Sequence, residues 1–187
     1  MHEKRAGGGL VALAAAAMVL ATGVHASHAA SAGEISSSAR AALSKLYATN
    51  PAAKALGQKA KGILVFPSIL KAGFIVGGQG GDGAMFKAGK TVGYYRTAAA
   101  SYGFQAGAQK FGYALFFMSD SALQYLNKSG GWEVGSGPSL VLVDEGFGKS
   151  ISSTTLTQDV YAYIFNQKGL MGGVGIQGSK ITRIHPK

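Results

Sequence analysis

The pattern of apolar and polar residues predicts two helices followed by a series of short strands. Between residues 34 and 61, apolar residues recur at helical spacing, and Asn50-Pro51 breaks the pattern into a longer and a shorter helix. From residue 63 onward, the apolar runs are too short for helices and are rich in β-branched and aromatic residues. We therefore predict strands near residues 63–66, 74–76, 84–86, 91–96, 99–106, 113–118, 139–143, 150–155, 160–165, 171–177 and 181–184.

Three local signals interrupt this series of strands. Ser119 and Asp120 can cap one short helix over residues 121–127. Because proline has no N–H to donate, we expect Pro67 to end the ladder pairing of the first strand. The glycines that follow are expected in turns with positive φ, or where another backbone comes very close; they are Gly77, Gly78, Gly80, Gly81 and Gly83.

Composition fits a single domain with a proper core. The chain has 187 residues, 47% of them hydrophobic and 14% charged, and 29 glycines against 4 prolines favour a glycine-rich β protein over disorder. The predicted strands at 113–118 and 160–165 are apolar on both faces, so we expect both to lie inside the sheet. The predicted fold is α+β: two N-terminal helices packed on a glycine-rich, mainly antiparallel β-sheet or barrel-like sandwich, with one further short helix.

The first 29 residues have the features of a secretory signal peptide. Lys4 and Arg5 form a basic start, residues 10–21 form an apolar run too short to span a bilayer, and residues 24–26 or 27–29 offer a cleavage site. We predict export to a bacterial periplasm or beyond, with residues 30–187 as one domain that is peripheral to the membrane. The chain has no cysteine, so no disulfide can stabilise the exported form.

Positive charge is concentrated in the first half of the predicted domain. Without residues 1–29, sixteen basic residues face seven acidic ones, a formal charge of +9. Residues 36–80 contain no acid, and such a one-sided field attracts anionic surfaces or polyanions. A plain solvated basic face is the alternative. The cations of this acid-free stretch are Arg40, Lys45, Lys54, Lys59, Lys61 and Lys71.

Catalytic motifs are missing from the sequence. The predicted mature chain has one histidine, His185, which argues against nucleophile–base triads and transition-metal clusters. Residues 78–83 match G-x-G-x-x-G, but no long helix and no acid about twenty residues further on follow them. We predict no catalytic residue, metal or cofactor, and no enzyme, although the carboxylates leave an acid–base enzyme as a third reading. Predicted export and the lack of a nucleic-acid-binding motif argue against nucleic acid as a partner.

Several separated motifs resemble the SYLF domain, a family also described as lipid-binding or actin-binding. The resemblance extends over roughly residues 36–184, and the motifs occur in the family's order. They are Ala60-Lys61-Gly62-Ile63, Phe66-Pro67, Lys71-Ala72-Gly73-Phe74, Val76-Gly77-Gly78, Gly103-Phe104-Gln105, Gly107-Ala108-Gln109 and Gly169-Leu170-Met171-Gly172-Gly173-Val174.

The resemblance implies a lipid-binding domain whose headgroup contacts come from basic residues of the N-terminal part. Carried over by position, these residues are Arg40, Lys45, Lys54, Lys59, Lys61 and Lys71. Eukaryotic members of the family bind phosphoinositides and some bind actin, but predicted export argues against both partners here. We therefore expect non-enzymatic binding of another anionic phospholipid, such as phosphatidylglycerol or cardiolipin, at a membrane surface. The alternative is a protein-interaction module of the cell envelope without direct lipid contact.

Overall fold

The computed structural model describes residues 30–128, 130–143, 157–169 and 175–187. These ranges contain three α-helices and six β-strands. The helices are α1 (Ala32–Thr49), α2 (Pro51–Lys59) and α3 (Asp120–Leu126), and the strands are β1 (Gly62–Lys87), β2 (Lys90–Phe117), β3 (Trp132–Glu133), β4 (Leu140–Val143), β5 (Val160–Gly169) and β6 (Lys180–Ile184). The predicted signal peptide and the predicted strand at 150–155 lie outside the described residues.

The two N-terminal helices and the break at Asn50-Pro51 are as the sequence predicted, but α1 begins at Ser31 and not at the predicted caps, Ser36 to Ser38. Ser31 caps α1 in a capping box with Glu34, because each side chain satisfies a backbone N–H of the other residue. The Asn50 side chain accepts from the amide of Ala53 and begins α2, and Pro51 follows at a position where its missing N–H costs nothing. None of the helices in the described ranges combines the length and the apolar character needed to cross a bilayer.

A long antiparallel hairpin of β1 and β2 organises the sheet. The first half of β2 pairs with β6, which carries β3 on its other edge, and the second half pairs with β5. β4 joins β5 in parallel, and the other pairings are antiparallel. The sheet curls into a half-barrel. The predicted α+β class and the mainly antiparallel sheet are confirmed.

Irregular pairing replaces the strand ends that the sequence predicted near Pro67. The β1–β2 register shifts between Phe66 and Ile69 and again between Gly73 and Ile75, yet pairing resumes after each shift. The prediction that Pro67 ends the ladder was therefore wrong, because a β-bulge absorbs the missing donor and lets the strand continue. Consequently the three short strands predicted between residues 63 and 86 form one strand. Similarly, residues 175–177, predicted as the end of a strand, lie outside any strand, while 171–174 are not described.

Close backbone approach explains two of the glycines in β1. A Cβ atom on Gly81 would collide with the carbonyl oxygen of Ser68, and one on Gly83 would collide with that of Val65. None of the five glycines between residues 77 and 83 has a positive φ, so the expected turns are not found there. The other expectation, close approach of another backbone, is met at Gly81 and Gly83. Glycine lets one half of the bent strand lie against the other.

The core is divided between the two faces of the sheet. The face covered by α3 carries the cluster of Leu64, Phe66, Tyr113, Leu115 and Phe117, among others. The face covered by α1 and α2 carries alternate residues of the same strands, including Val65 and Phe116. β5 is buried on both faces over residues 160–163, which confirms the prediction of an interior strand.

Candidate functional site

The structure separates the six cations that the sequence grouped together. Arg40 lies near the turn of the β1–β2 hairpin, where its Nη1 atom donates to the Gly89 carbonyl oxygen at 3.0 Å. Its guanidinium carbon is also 5.0 Å from the centre of the Phe86 ring. These contacts attach α1 to the hairpin and occupy part of the guanidinium group.

Lys71 is buried rather than exposed. Only 8% of the residue is accessible, and it lies opposite Gln109 in the β1–β2 register. A side chain in this position cannot reach a membrane surface without a change in structure. Lys71 is therefore not part of an exposed binding surface.

The cations of α2 and of the start of β1 form a separate group. Lys54, Lys59 and Lys61 are all exposed. Lys54 and Lys59 belong to α2, and Lys61 directly precedes β1.

Beside the register shift at Pro67, three lysines from three elements surround one cleft. Lys45 comes from α1, Lys110 from β2 and Lys168 from β5, and all three are exposed. The cleft has a volume of about 240 Å³, and none of the described residues that line it is acidic. We call it the lysine cleft, and its lining residues are Lys45, Pro67, Lys110, Phe111, Asn166 and Lys168.

The sheet register brings two of these lysines together. Lys110 and Lys168 are direct partners in the antiparallel β2–β5 pair, a position in which like charges repel. Within the described ranges, the ammonium groups of Lys45, Lys110 and Lys168 form no hydrogen bond or ion pair. Asp82 is the last acidic residue before Lys110 in the chain. It does not pair with these lysines, because its carboxylate accepts hydrogen bonds of 2.7 and 2.8 Å from Arg96. A bound anion would relieve the repulsion in the cleft.

Backbone irregularities shape the cleft. The register of β2 with β5 shifts between Lys110 and Gly112, and the shift of β1 at Pro67 lies beside it. Asn166 has a φ of 54°, a left-handed conformation that asparagine tolerates better than most residues. Bulges of this kind re-aim side chains and occur often near functional sites.

An exposed leucine extends the row of lysines. Leu70 is the β1 partner of Lys110, so Leu70, Lys110 and Lys168 lie side by side across three strands. Leu70 is 58% exposed, a high value for a large apolar side chain. An apolar residue beside cations is suited to a boundary between charged headgroups and hydrocarbon.

Sequence reasoning found Lys45 but missed Lys110 and Lys168. These two residues lie outside the acid-free stretch, and their proximity depends on a strand pairing that spans 58 positions of the chain. Among the described residues, no group of three or more histidine, aspartate or glutamate side chains is placed to hold a metal ion.

Fold and cleft together define an α+β half-barrel domain with a basic surface site. Residues 98–185 match the family model described as "Ysc84: Las17-binding protein actin regulator". The matched model is that of the Ysc84 (SYLF) family, which confirms the resemblance seen in the sequence. The matched part contains Lys110 and Lys168, whereas Lys45 lies before it. A comparison with curated proteins found no match.

Proposed function

We propose that this protein binds anionic phospholipid at a membrane surface, without catalysis, through the lysine cleft. The observation that carries the proposal is the convergence of Lys45, Lys110 and Lys168 on one cleft beside the exposed Leu70. The association of the family with lipid and actin binding supports it. The proposed setting is the outer side of a bacterial inner membrane, after export, and actin is not a proposed partner for that reason.

Electrostatics supplies the strength of the proposed interaction. A lysine near an anionic membrane surface contributes about 1 kcal/mol, so three lysines give reversible docking. The attraction between exposed charges is screened over about 10 Å at 0.1 M salt and about 3 Å at 1 M salt. Binding should therefore weaken steeply as salt is added.

The test is co-sedimentation of the purified protein with vesicles of phosphatidylcholine, with and without phosphatidylglycerol. The double variant Lys110→Glu/Lys168→Glu should lose on the order of 30-fold or more in affinity, because two contributions of about 1 kcal/mol are removed and repulsion is added. Equal pelleting of the protein with neutral and anionic vesicles would refute the electrostatic mechanism.

The matched control is Lys54→Glu/Lys59→Glu, which changes the net charge by the same amount on α2. We expect this variant to bind nearly as well as the natural protein, since neither lysine lines the lysine cleft. If the α2 variant loses binding and the cleft variant does not, the headgroup contacts belong to the N-terminal helices, as the sequence alone predicted. Thermal unfolding of both variants checks that the fold is intact.

A protein partner in the cell envelope is the second candidate. The family model is described by its binding to a protein, Las17, which favours this alternative. Pull-down of an envelope protein that is unchanged in the cleft variant and in the absence of lipid would support it over membrane binding.

A further inference from the structure

Arg183 of β6 lines three neighbouring surface clefts. Each cleft has a volume of about 320–350 Å³, near the lower end of the range of about 300–1,000 Å³ for small-molecule pockets. One cleft is also lined by Lys87 at the end of β1, one by His185 after β6, and one by Lys128 after α3. We call the three clefts together the Arg183 site.

The Arg183 site collects three cations and a histidine without an opposing acid. All four residues are exposed, and none of the described residues that line the three clefts is acidic. The nearby carboxylate of Asp82 is bound by Arg96, which follows Tyr95 in β2 and therefore lies on the opposite face of the sheet. Within the described ranges, the guanidinium of Arg183 and the ammonium of Lys87 form no hydrogen bond or ion pair.

Strand pairing fixes the position of the guanidinium. Arg183 is the direct partner of Tyr95, so both side chains lie on the α3 face of the sheet. Burial raises the pKa of Tyr95, and the charge of Arg183 acts in the opposite direction, as expected of two neighbouring groups. The Tyr95 hydroxyl donates to Oδ1 of Asn127 at 3.4 Å. A Cβ atom on Gly93 would lie 3.6 Å from Nη2 of Arg183, so this glycine leaves space beside the guanidinium.

The surface that the site offers to a ligand is mainly polar. The core residues Met85, Leu123 and Leu126 close the bottom of one cleft, but all three are buried and offer a ligand almost no area. Val92 is exposed there, and one valine is too small a surface for an alkyl chain. Asn127 adds an exposed amide to the charged groups. A compact hydrophilic anion therefore fits the site better than an amphiphile.

Phosphate is the anion that this set of donors matches. A guanidinium carries its N–H donors in a planar fork that pairs with phosphate through parallel hydrogen bonds, and an ammonium adds a point charge. A phosphomonoester has about 1.5 to 2 negative charges at neutral pH, more than a carboxylate, and more acceptor oxygens. We propose that the Arg183 site binds the phosphomonoester group of a small polar molecule, with the phosphate between Arg183 and Lys87.

This site is independent of the proposed membrane contact. None of the residues that line the Arg183 site also lines the lysine cleft. Arg183 pairs with the first half of β2, whereas Lys110 belongs to the second half of the same strand. The failure of either proposal consequently leaves the other intact.

Calorimetric titration of the purified protein with glycerol phosphate, glycerol and acetate tests the proposal. Glycerol phosphate should bind saturably with one molecule per chain. Acetate should bind at least tenfold more weakly, because it has less charge and fewer acceptors, and glycerol should not bind. Equal affinity for glycerol phosphate and either of the other two compounds would overturn the proposal.

A lipid headgroup could supply the same phosphomonoester, and vesicles distinguish this source from a free molecule. The cleft variant Lys110→Glu/Lys168→Glu is mixed with phosphatidylcholine vesicles that contain phosphatidic acid. Pelleting that disappears when Arg183→Gln is added to this variant would assign a lipid source. Binding of glycerol phosphate without such pelleting would assign a free molecule. The absence of both kinds of binding would overturn the proposal.

Substitutions at Arg183 separate its geometry from its charge. Arg183→Gln should weaken glycerol phosphate binding by tenfold or more, since a charge-assisted pair is lost. Arg183→Lys keeps the charge without the planar fork, so its affinity should lie between those of Arg183→Gln and the natural protein. The matched control is Lys180→Gln, which removes an exposed cation of β6 that does not line the site and should bind normally. Equal losses in Arg183→Gln and Lys180→Gln would reduce the effect to general charge attraction and overturn the proposal.

Nuclear magnetic resonance places the ligand on the folded molecule. On titration with glycerol phosphate, the backbone amide signals of Gly93 and Asn127 should shift, and those of Lys110 and Lys168 should not. Shifts confined to the lysine cleft would overturn the assignment to the Arg183 site. Thermal unfolding of the Arg183 variants checks that the fold is intact.

Discussion

Tyr47 is a phenol held at the junction of α1, α2 and the sheet. Its ring centre is 6.5 Å from that of Phe116, and its side chain packs against the cluster beneath the two helices. Burial raises the pKa of the Tyr47 hydroxyl to about 12. The neutral phenol is therefore the form that this junction accepts, because ionisation would place a charge in a largely apolar setting.

The raised pKa of Tyr47 predicts a loss of stability at high pH. Since the folded pKa exceeds the unfolded value of about 10, the contribution of Tyr47 is complete below about pH 10 and is lost as the pH rises towards about 12. In Tyr47→Phe, the free energy of unfolding should fall less over this interval than in the natural protein. Urea denaturation at a series of alkaline pH values measures the difference, and parallel curves for the two proteins would contradict the prediction.

The sequence predicted only some of the site residues, because strand pairing decides which charged side chains lie next to one another. Lys45 stood out from the sequence, since it belongs to a stretch with no acid. Lys110 and Lys168 have no such local signal, and only the β2–β5 register makes them neighbours. Conversely, Lys71 belongs to the same acid-free stretch but falls on a buried position of β1.

At the scale of elements, helices were more predictable than strands. Caps act over three or four residues, so Asn50-Pro51 and Ser119 mark helix boundaries in the sequence itself. Strand length depends instead on whether a distant partner continues the ladder. The sequence around Pro67 gave the position of an irregularity, but only the opposing strand β2 decides that the irregularity is a bulge and not an end.

The bend of β1 predicts unequal effects of one substitution at two glycines. Gly83→Ala should destabilise the protein by on the order of 1–3 kcal/mol, because its methyl group would meet the Val65 carbonyl oxygen and the Phe66 ring. Gly78→Ala, in the same strand, should change stability by about 1 kcal/mol or less, since its nearest contact is the Ala99 carbonyl oxygen at 3.6 Å. Chemical denaturation compares the two variants.

Both substitutions add one methyl group to one strand, so each serves as the control for the other. Similar unfolding midpoints for Gly83→Ala and Gly78→Ala would mean that the two halves of β1 do not approach each other closely. The curl of the hairpin would then need another explanation.

At the scale of the whole molecule, the lysine cleft joins the family-matched part of the chain to a helix that precedes it. β2 and β5 provide two lysines within residues 98–185, and α1 adds Lys45 by packing on the same face of the sheet. Helix α1 thus completes the cleft, whereas Lys54 and Lys59, the exposed cations of α2, do not line it. A binding surface of this kind depends on the folded domain and not on an isolated basic helix.

Leu70 distinguishes docking by charge alone from docking with apolar contact. The side chain lies next to Lys110, so a headgroup bound in the cleft would bring Leu70 against the membrane. Burial of an exposed leucine contributes about 1.5–3 kcal/mol, so Leu70→Asn should weaken binding to anionic vesicles by about tenfold or more. Unlike the loss in the lysine variants, this loss should persist at high salt, because apolar burial is not screened.

Leu142→Asn is the matched control for Leu70→Asn. Leu142 is also a leucine exposed on a strand, at 45%, but it belongs to β4 and does not line the cleft. Co-sedimentation at low and high salt should give natural affinity for Leu142→Asn and reduced affinity for Leu70→Asn. If both leucine variants lose binding equally, the vesicles respond to general surface hydrophobicity. If neither does, docking depends on the lysines alone and the molecule stays above the hydrocarbon layer.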